Sequence, residues 1–439
     1  AQLNPWIWVK NAGGTNGEFG YNIASDASGN SYVTGYFTGS AIFGSTTLTS
    51  NGGSDIFIAK LDSSGNWLWA KNAGGTSNDG GNSIAVDASG NSYVTGYFGG
   101  TTATFGSTTL TSNGGSDIFI AKLDSSGNWL WARNAGGSSR DIGYGIAVDA
   151  SGNSYVTGYF GGTTATFGST TLTSNGGSDI FIAKLDSSGN WLWAKQAGGT
   201  KVDYGNSIAV DTNGNSYVTG IFYSATAAFG DITLESSGGV DIFVAKLDSS
   251  GNWLWAKKAG GTSDDEGHGI AVDASGNSYV TGTFGSATAT FGSTTLTSSG
   301  GSDIFVAKLD SSGNWEWAKN AGGTGADIGY GIAVDASGNS YVTGYFYSSA
   351  TFDLTNLTSN GDRDIFIAKL DSSGNNWLWA KNAGGTGGDY GRNIAVDASG
   401  NSYVTGNYQG STTAGATFGD ITIYGSGISS NYNVFVAKV

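Results

Sequence analysis

The sequence predicts an all-β protein, a seven-bladed β-propeller of four-stranded antiparallel blades, and three observations lead there. Seven Trp-x-Trp pairs, Trp6/Trp8, Trp67/Trp69, Trp129/Trp131, Trp191/Trp193, Trp253/Trp255, Trp315/Trp317 and Trp377/Trp379, recur every 61 or 62 residues and use all 14 tryptophans. Between successive pairs lie two hairpin patterns, which makes four strands per copy. The chain starts with one kind of strand and stops after another, so its two ends complement each other. A repeat of this size cannot bury its apolar faces alone, and the copies must stack. One domain over residues 1–439 is expected, with residues 1–12 completing the last blade.

The second copy shows the pattern of elements. Ile84-Ala-Val-Asp87, the turn Ala88-Ser-Gly-Asn91 and Ser92-Tyr-Val-Thr-Gly-Tyr-Phe98 form the first hairpin. Asp117-Ile-Phe-Ile-Ala-Lys-Leu-Asp124, the turn Ser125-Ser-Gly-Asn128 and Trp129-Leu-Trp-Ala-Arg-Asn134 form the second. Side chains alternate across a strand, so Phe119, Ala121 and Leu123 face one way and Ile118 and Ile120 the other. Apolar on both faces, the third strand belongs inside a stack. The residue between the two tryptophans is Leu or Ile in six copies and Glu316 in the other, so the fourth strand is the outermost, with a wet face. The first such strand, Trp6 to Lys10, precedes any complete copy, and the last copy ends after its third strand, Val434 to Val439. The N-terminal strand is therefore expected to pair with the C-terminal blade, closing the ring and removing an exposed edge.

Composition narrows the function classes. A net charge of −15 with 19 basic residues spread along the chain argues against nucleic acid as a partner. The longest apolar runs are too short to cross a bilayer. No cysteine is available for disulfides or thiolate metal sites. Methionine is absent even at position 1, and Ala1-Gln2 reads as the start left by a signal peptidase, so export is expected.

The phrase Val86-Asp-Ala-Ser-Gly-Asn-Ser-Tyr-Val-Thr-Gly96, followed by Asp117-Ile-Phe-Ile-Ala-Lys-Leu-Asp-Ser-Ser-Gly-Asn128, resembles the bacterial SBBP β-propeller repeat over essentially the whole chain. The resemblance implies a propeller in an exported or cell-surface bacterial protein, and it supplies no catalytic residue. Departures are small. Ser25 stands where other copies have Val, Asn376 is inserted, and Asn433 replaces the Asp that opens the third strand.

In a propeller the two hairpin turns lie on one face and the remaining connections on the other. The hairpin turns are nearly constant from copy to copy, whereas the fourth-to-first and second-to-third connections vary. Binding is expected on the variable face, because loops on a rigid scaffold are the usual site. An acid recurs there in every copy: Glu18, Asp79, Asp141, Asp203, Asp265, Asp327 and Asp389. With Tyr21, Tyr144, Tyr204, Tyr330 and Tyr390 they make a candidate ring at the mouth of the channel, suited to sugar hydroxyls or a cation. The alternative is that each acid caps the turn into the first strand. The second-to-third connection, about twenty residues long, is expected to add a small hairpin or flap, anchored by Phe105, Phe167, Phe229, Phe291, Phe352 and Phe418. The loop after Asn407 departs most from the others.

The Asp-x-x-Gly-Asn turns lack the acid ladder of a calcium loop and read as turns, with Asp accepting local amides and Gly in the left-handed position. They bear a faint likeness to the Asp-box of sialidase propellers, a folding element. The one histidine, His268, lies beside Asp264, Asp265 and Glu266, the sole break in symmetry towards catalysis. No phosphate loop, dinucleotide fingerprint or nucleophile elbow is present. Neither catalytic residue, cofactor nor metal is expected. Lys60, Lys122, Lys184, Lys246, Lys308, Lys369 and Lys438 share a strand face with the strand's terminal Asp where that Asp exists, and structural pairing is the simpler account. The expected function is a secreted or cell-surface binding or adhesion module, lectin-like with weak multivalent sites. Its partners would be carbohydrate or surface proteins. The alternative is a structural, self-associating scaffold, and a glycan-active enzyme comes third.

Overall fold

The computed structural model describes residues 5–14, 16–426 and 431–439. Among these, every regular element is a β-strand, and no helix is long and apolar enough to cross a membrane. The fold is all-β and propeller-like, built from repeated four-stranded antiparallel sheets. Five such sheets span 79–135, 141–197, 203–259, 265–321 and 328–383, each ordered along the chain first, second, third, fourth. The other strands form one eight-stranded sheet. It joins Tyr390–Val396, Ser402–Gln409, Tyr432–Lys438 and Trp8–Gly14 to Glu18–Ser25, Ser31–Phe43, Thr46–Leu61 and Trp67–Ala73. Within it Trp8–Gly14 runs antiparallel to Tyr432–Lys438, with Trp8 opposite Lys438 and Ala12 opposite Val434.

Both faces of each third strand are buried, and they serve different cores. Phe119, Ala121 and Leu123 pack with Ile56 and Ile58 of the preceding unit. Ile118 and Ile120 pack with Phe181, Ala183 and Leu185 of the next. The same alternation places Val434 and Val436 against Phe57, Ala59 and Leu61, across the two ends of the chain. Each fully buried side chain of this size contributes about 1.5–3 kcal/mol, so adhesion between units is the main source of stability. On the inside, each first strand packs on the first strand of the next unit, and Tyr390–Val396 packs on Glu18–Ser25.

The constant turns are self-contained. Asp87 Oδ1 accepts hydrogen bonds from the amides of Ser89 and Asn91, both at 2.9 Å, and Oδ2 from Asn91 Nδ2 at 2.8 Å and Tyr93 Oη at 3.2 Å. Gly90 takes φ = 77°, which a side chain would resist. The second-to-third connection forms the expected hairpin, as in Thr102–Phe105 with Thr108–Thr111. Its Phe105 is fully buried and meets Trp129 edge-on at 5.4 Å. The last such connection has its hairpin at Gly415–Phe418 and Ile421–Tyr424; residues 427–430 lie outside the described residues.

The strand lysines correct one expectation. They do not pair with the Asp that ends their own strand, because that carboxylate is consumed by its turn, as Asp62 is by Ser64 and Asn66. Lys60 Nζ instead lies 4.7 Å from the Tyr32 ring centre and donates to the Ser125 carbonyl of the next unit at 3.4 Å. Lys308 pairs with Glu316 at 2.9 Å and Lys369 with Asp335 at 3.2 Å.

Candidate functional site

A β-bulge in each first strand builds the site. In the second unit the ladder passes from Gly81 opposite Gly96 to Ser83 opposite Thr95, and Asn82 is left over. The same slip leaves out Tyr21, Tyr144, Asn206, His268, Tyr330 and Arg392 in the other units. A bulge re-aims the extra side chain. All seven side chains line one cavity of about 420 Å3, with Asn22, Ser83, Tyr97, Arg140 and Asn393 among its other walls. Arg140 comes from the connection ahead of Asp141, so the cavity opens towards the variable face. The glycine before each bulge has no such freedom: a Cβ on Gly81 would sit 2.3 Å from Thr34 Oγ1 of the preceding unit.

The sequence-derived aromatics and acids separate here. Tyr21, Tyr144 and Tyr330 line the cavity. Tyr204 and Tyr390, two positions earlier in their strands, sit one layer outward. Tyr204 packs on Tyr159 at 4.5 Å and on Tyr144 at 6.2 Å. Tyr390 lies under the Arg392 guanidinium at 4.9 Å and accepts from Arg363 Nη1 at 2.9 Å. Glu18, Asp79, Asp141, Asp203, Asp265, Asp327 and Asp389 do not open on the cavity; all seven are fully buried. Asp79 shows what six of them do. Its Oδ2 accepts the Gly75 amide at 2.6 Å and its Oδ1 the Gly99 amide at 2.9 Å, tying two connections together. Asp141, Asp203, Asp265, Asp327 and Asp389 accept from Gly137, Gly199, Gly261, Gly323 and Gly385 in the same way. The capping alternative is the one the geometry matches. Burial pushes up Asp79 and Asp327 to about 6, Asp141 to about 7, and Asp389 and Glu18 to about 8.

The group around His268 is likewise divided. Asp265 is spent on its cap, and Asp264 Oδ1 accepts the Val240 amide at 3.1 Å. His268 Nε2 is 3.6 Å from Glu266 Oε2, and its ring meets Tyr330 at 5.2 Å. Burial and then the nearby Arg392 charge lower the imidazole to about 4, so it is neutral at pH 7. Asn82 and Asn206 each donate Nδ2 to an inner carbonyl of the next unit, Gly143 and Gly267, at 2.9 Å. The amides, both arginines and Tyr97 are the cavity residues that reading the sequence missed. One signal existed: the residue after Asp-x-Gly varies as Tyr, Asn, Tyr, Asn, His, Tyr, Arg within otherwise uniform copies.

Repeated four-stranded units with bulged inner strands around a polar cavity define an all-β, propeller-type repeat protein. The repeat itself is SBBP, described as a beta-propeller repeat, which matches residues 68–97, 130–159, 192–220, 254–283, 316–345 and 378–407, so the chain carries this repeat six times. It is similar to "Uncharacterized WD repeat-containing protein L264" of Acanthamoeba polyphaga mimivirus, 26% identical over 92% of the chain and 36% of that protein. It is also similar to "Regulatory protein FlaEY" of Caulobacter vibrioides, 26% identical over 70% of the chain and 34% of that protein. The chain thus spans about a third of the length of the curated relatives it matches. Among solved structures, the Pan2 WD40 domain of Neurospora crassa aligns over 95% of this chain and 88% of its own, with 10% identity and a TM-score of 0.44.

Proposed function

We propose that the chain is a single closed ring of seven four-stranded blades that acts outside the cell, secreted or at its surface, as a carbohydrate-binding module. The carrying observation is the convergence of seven bulged residues, one per copy and of four residue types, on one cavity. Aromatic faces for sugar C–H groups and amides for hydroxyls are the chemistry of saccharide recognition. Closure is supported by the pairing of Trp8–Gly14 with Tyr432–Lys438 and by the packing of Tyr390–Val396 on Glu18–Ser25. Deleting residues 1–10 should lower the melting temperature sharply, and an unchanged melt would refute the closed ring. A binder rather than an enzyme is favoured because Asp264 and Asp265 beside His268 are committed to backbone amides, which leaves Glu266 as the one uncommitted acid of the group.

A glycan-array screen of the whole chain, with and without calcium, tests the reading. Selective binding that is lost in a Tyr21→Ala/Tyr330→Ala double variant supports it. A blank array in both conditions removes it. One observation favours a second reading, a self-associating scaffold: Ile7, Leu68, Leu130, Leu192, Leu254 and Leu378 are all about half exposed on the outer strands. Sedimentation velocity over a concentration series tests it, with a strictly monomeric chain as the opposing result.

A further inference from the structure

The cavity carries a charge bias opposite to that of the chain. Only four arginines occur in the sequence, and three of them, Arg140, Arg363 and Arg392, lie at this end of the molecule, each alone among the copies at its position. Arg140 and Arg392 line the cavity, and neither has a carboxylate within ion-pair distance among the described residues. In a protein of net charge −15 an arginine finds acids easily, so two left unneutralised in a pocket are available for a ligand.

Arg392 is also held in place. Its Nε donates to Asn407 Oδ1 at 3.2 Å, and its guanidinium lies over Tyr390 at 4.9 Å, Tyr330 at 5.0 Å and Tyr21 at 5.8 Å. Asn407 is itself unique, since the other copies carry Tyr36, Tyr97, Tyr159, Ile221, Thr283 and Tyr345 at this position. The two departures are adjacent in the sheet, where Tyr390 pairs with Asn407 two residues before Arg392. A planar guanidinium fixed through Nε presents its remaining edge, the geometry that grips a carboxylate by two parallel hydrogen bonds.

Building on the carbohydrate reading, we infer that the cavity selects a carboxylate-bearing saccharide, with Arg392 on the carboxylate, the Tyr21 and Tyr330 rings against the sugar, and Arg140 as a second cationic anchor across the pocket. The volume of about 420 Å3 lies within the range of small-ligand sites, about 300–1,000 Å3.

Calorimetric titration of the full chain at pH 7 with trigalacturonate and with sialyllactose, each beside its neutral methyl ester, tests this. At least one acid should bind at least tenfold more tightly than its ester. Arg392→Gln, checked for an unchanged melting temperature, should abolish that preference. Arg392→Lys should restore part of it, and 0.5 M salt should weaken binding of the acid but not of the ester. If esters bind as well as acids, or R392Q binds the acids as the parent does, the inference fails while the carbohydrate reading stands. If neither acid binds but neutral glycans on the array do, the inference again fails alone. Silence from acids, esters and array together removes both.

Discussion

The bulged position of the first strand and the tryptophans of the fourth strand are opposite extremes of the same repeat. The inner position takes four residue types in seven copies, and the outer pair never changes. Space explains the difference. The inner side chain projects into a cavity where any shape fits, whereas the first Trp of each outer pair packs on its own unit's hairpin Phe and the second is wedged against the next unit. Trp131 is buried, donates Nε1 to the Ser187 carbonyl at 3.2 Å, and lies so close to Gly189 that a Cβ there would come within 2.8 Å of the indole. Uniform positions in this chain mark close packing or a closed local turn, and varied positions mark freedom.

The largest test of that contrast is Trp131→Ala. It removes a buried indole at a junction between units and should cost about 3–5 kcal/mol. Urea denaturation would show this as a lower midpoint, while Asn82→Ala, at the inner position, should cost well under half as much. Equal losses would break the comparison. The constant turns come next. Asp149 accepts from the amides of Ser151 and Asn153, from Asn153 Nδ2, and from the hydroxyl of fully buried Tyr155. Asp149→Ala leaves these donors unmet and should cost about 1–3 kcal/mol by the same measurement.

The buried acids give a pH signature that the cavity residues lack. Their carboxyls titrate near 4 when unfolded but at about 7 for Asp141 and about 8 for Asp389 and Glu18 in the fold. A raised folded pKa means stability fully present below about pH 4 and lost as pH rises through 7 to 8. His268 acts in the other direction, since its folded value of about 4 penalises folding only as pH drops below about 6.5. Above pH 6.5 the acids act alone, and the melting temperature should fall to about pH 8 and level off above it. Glu18→Gln should flatten part of that slope, with no change below about pH 4. A flat melt over this range would show that these carboxyls stay ionised in the fold.

Much of this was legible in the sequence, because its physics is periodic. Two-sided apolar third strands demand neighbours on both sides, and Phe119 and Ile118 do enter different cores. The Asp-x-x-Gly-Asn turns close as local chemistry requires. The site was half legible. Tyr21, Tyr144 and Tyr330 were found because aromatics stand out, but Asn82, Asn206 and Arg392 share their role through a bulge that alternation along a strand cannot reveal. The acids misled for a related reason. A recurring carboxylate looks like a ligand set, yet recurrence in every copy is the mark of a group that serves the unit. Lys60 reaches the next unit's Ser125 carbonyl, and that pairing lies across sequence distances that only the fold supplies.

The smallest expected effect is the sharpest test of the outer face. Leu254 is half exposed between Trp253 and Trp255, and its counterpart one unit on is Glu316, paired with Lys308 at 2.9 Å. Lys246 stands opposite Trp255 as Lys308 stands opposite Trp317, so a glutamate at 254 finds the same partner. Leu254→Glu should therefore change stability by no more than about 0.5 kcal/mol, because an exposed pair gains little and an exposed leucine loses little. If the melt is unchanged and the sedimentation coefficient is too, the outer leucines are ordinary surface and the varied inner ring keeps the functional role. If stability holds while an assembly dissociates, uniformity on the outer strand records contact between molecules as well as between units, and the scaffold reading gains what the binding reading loses.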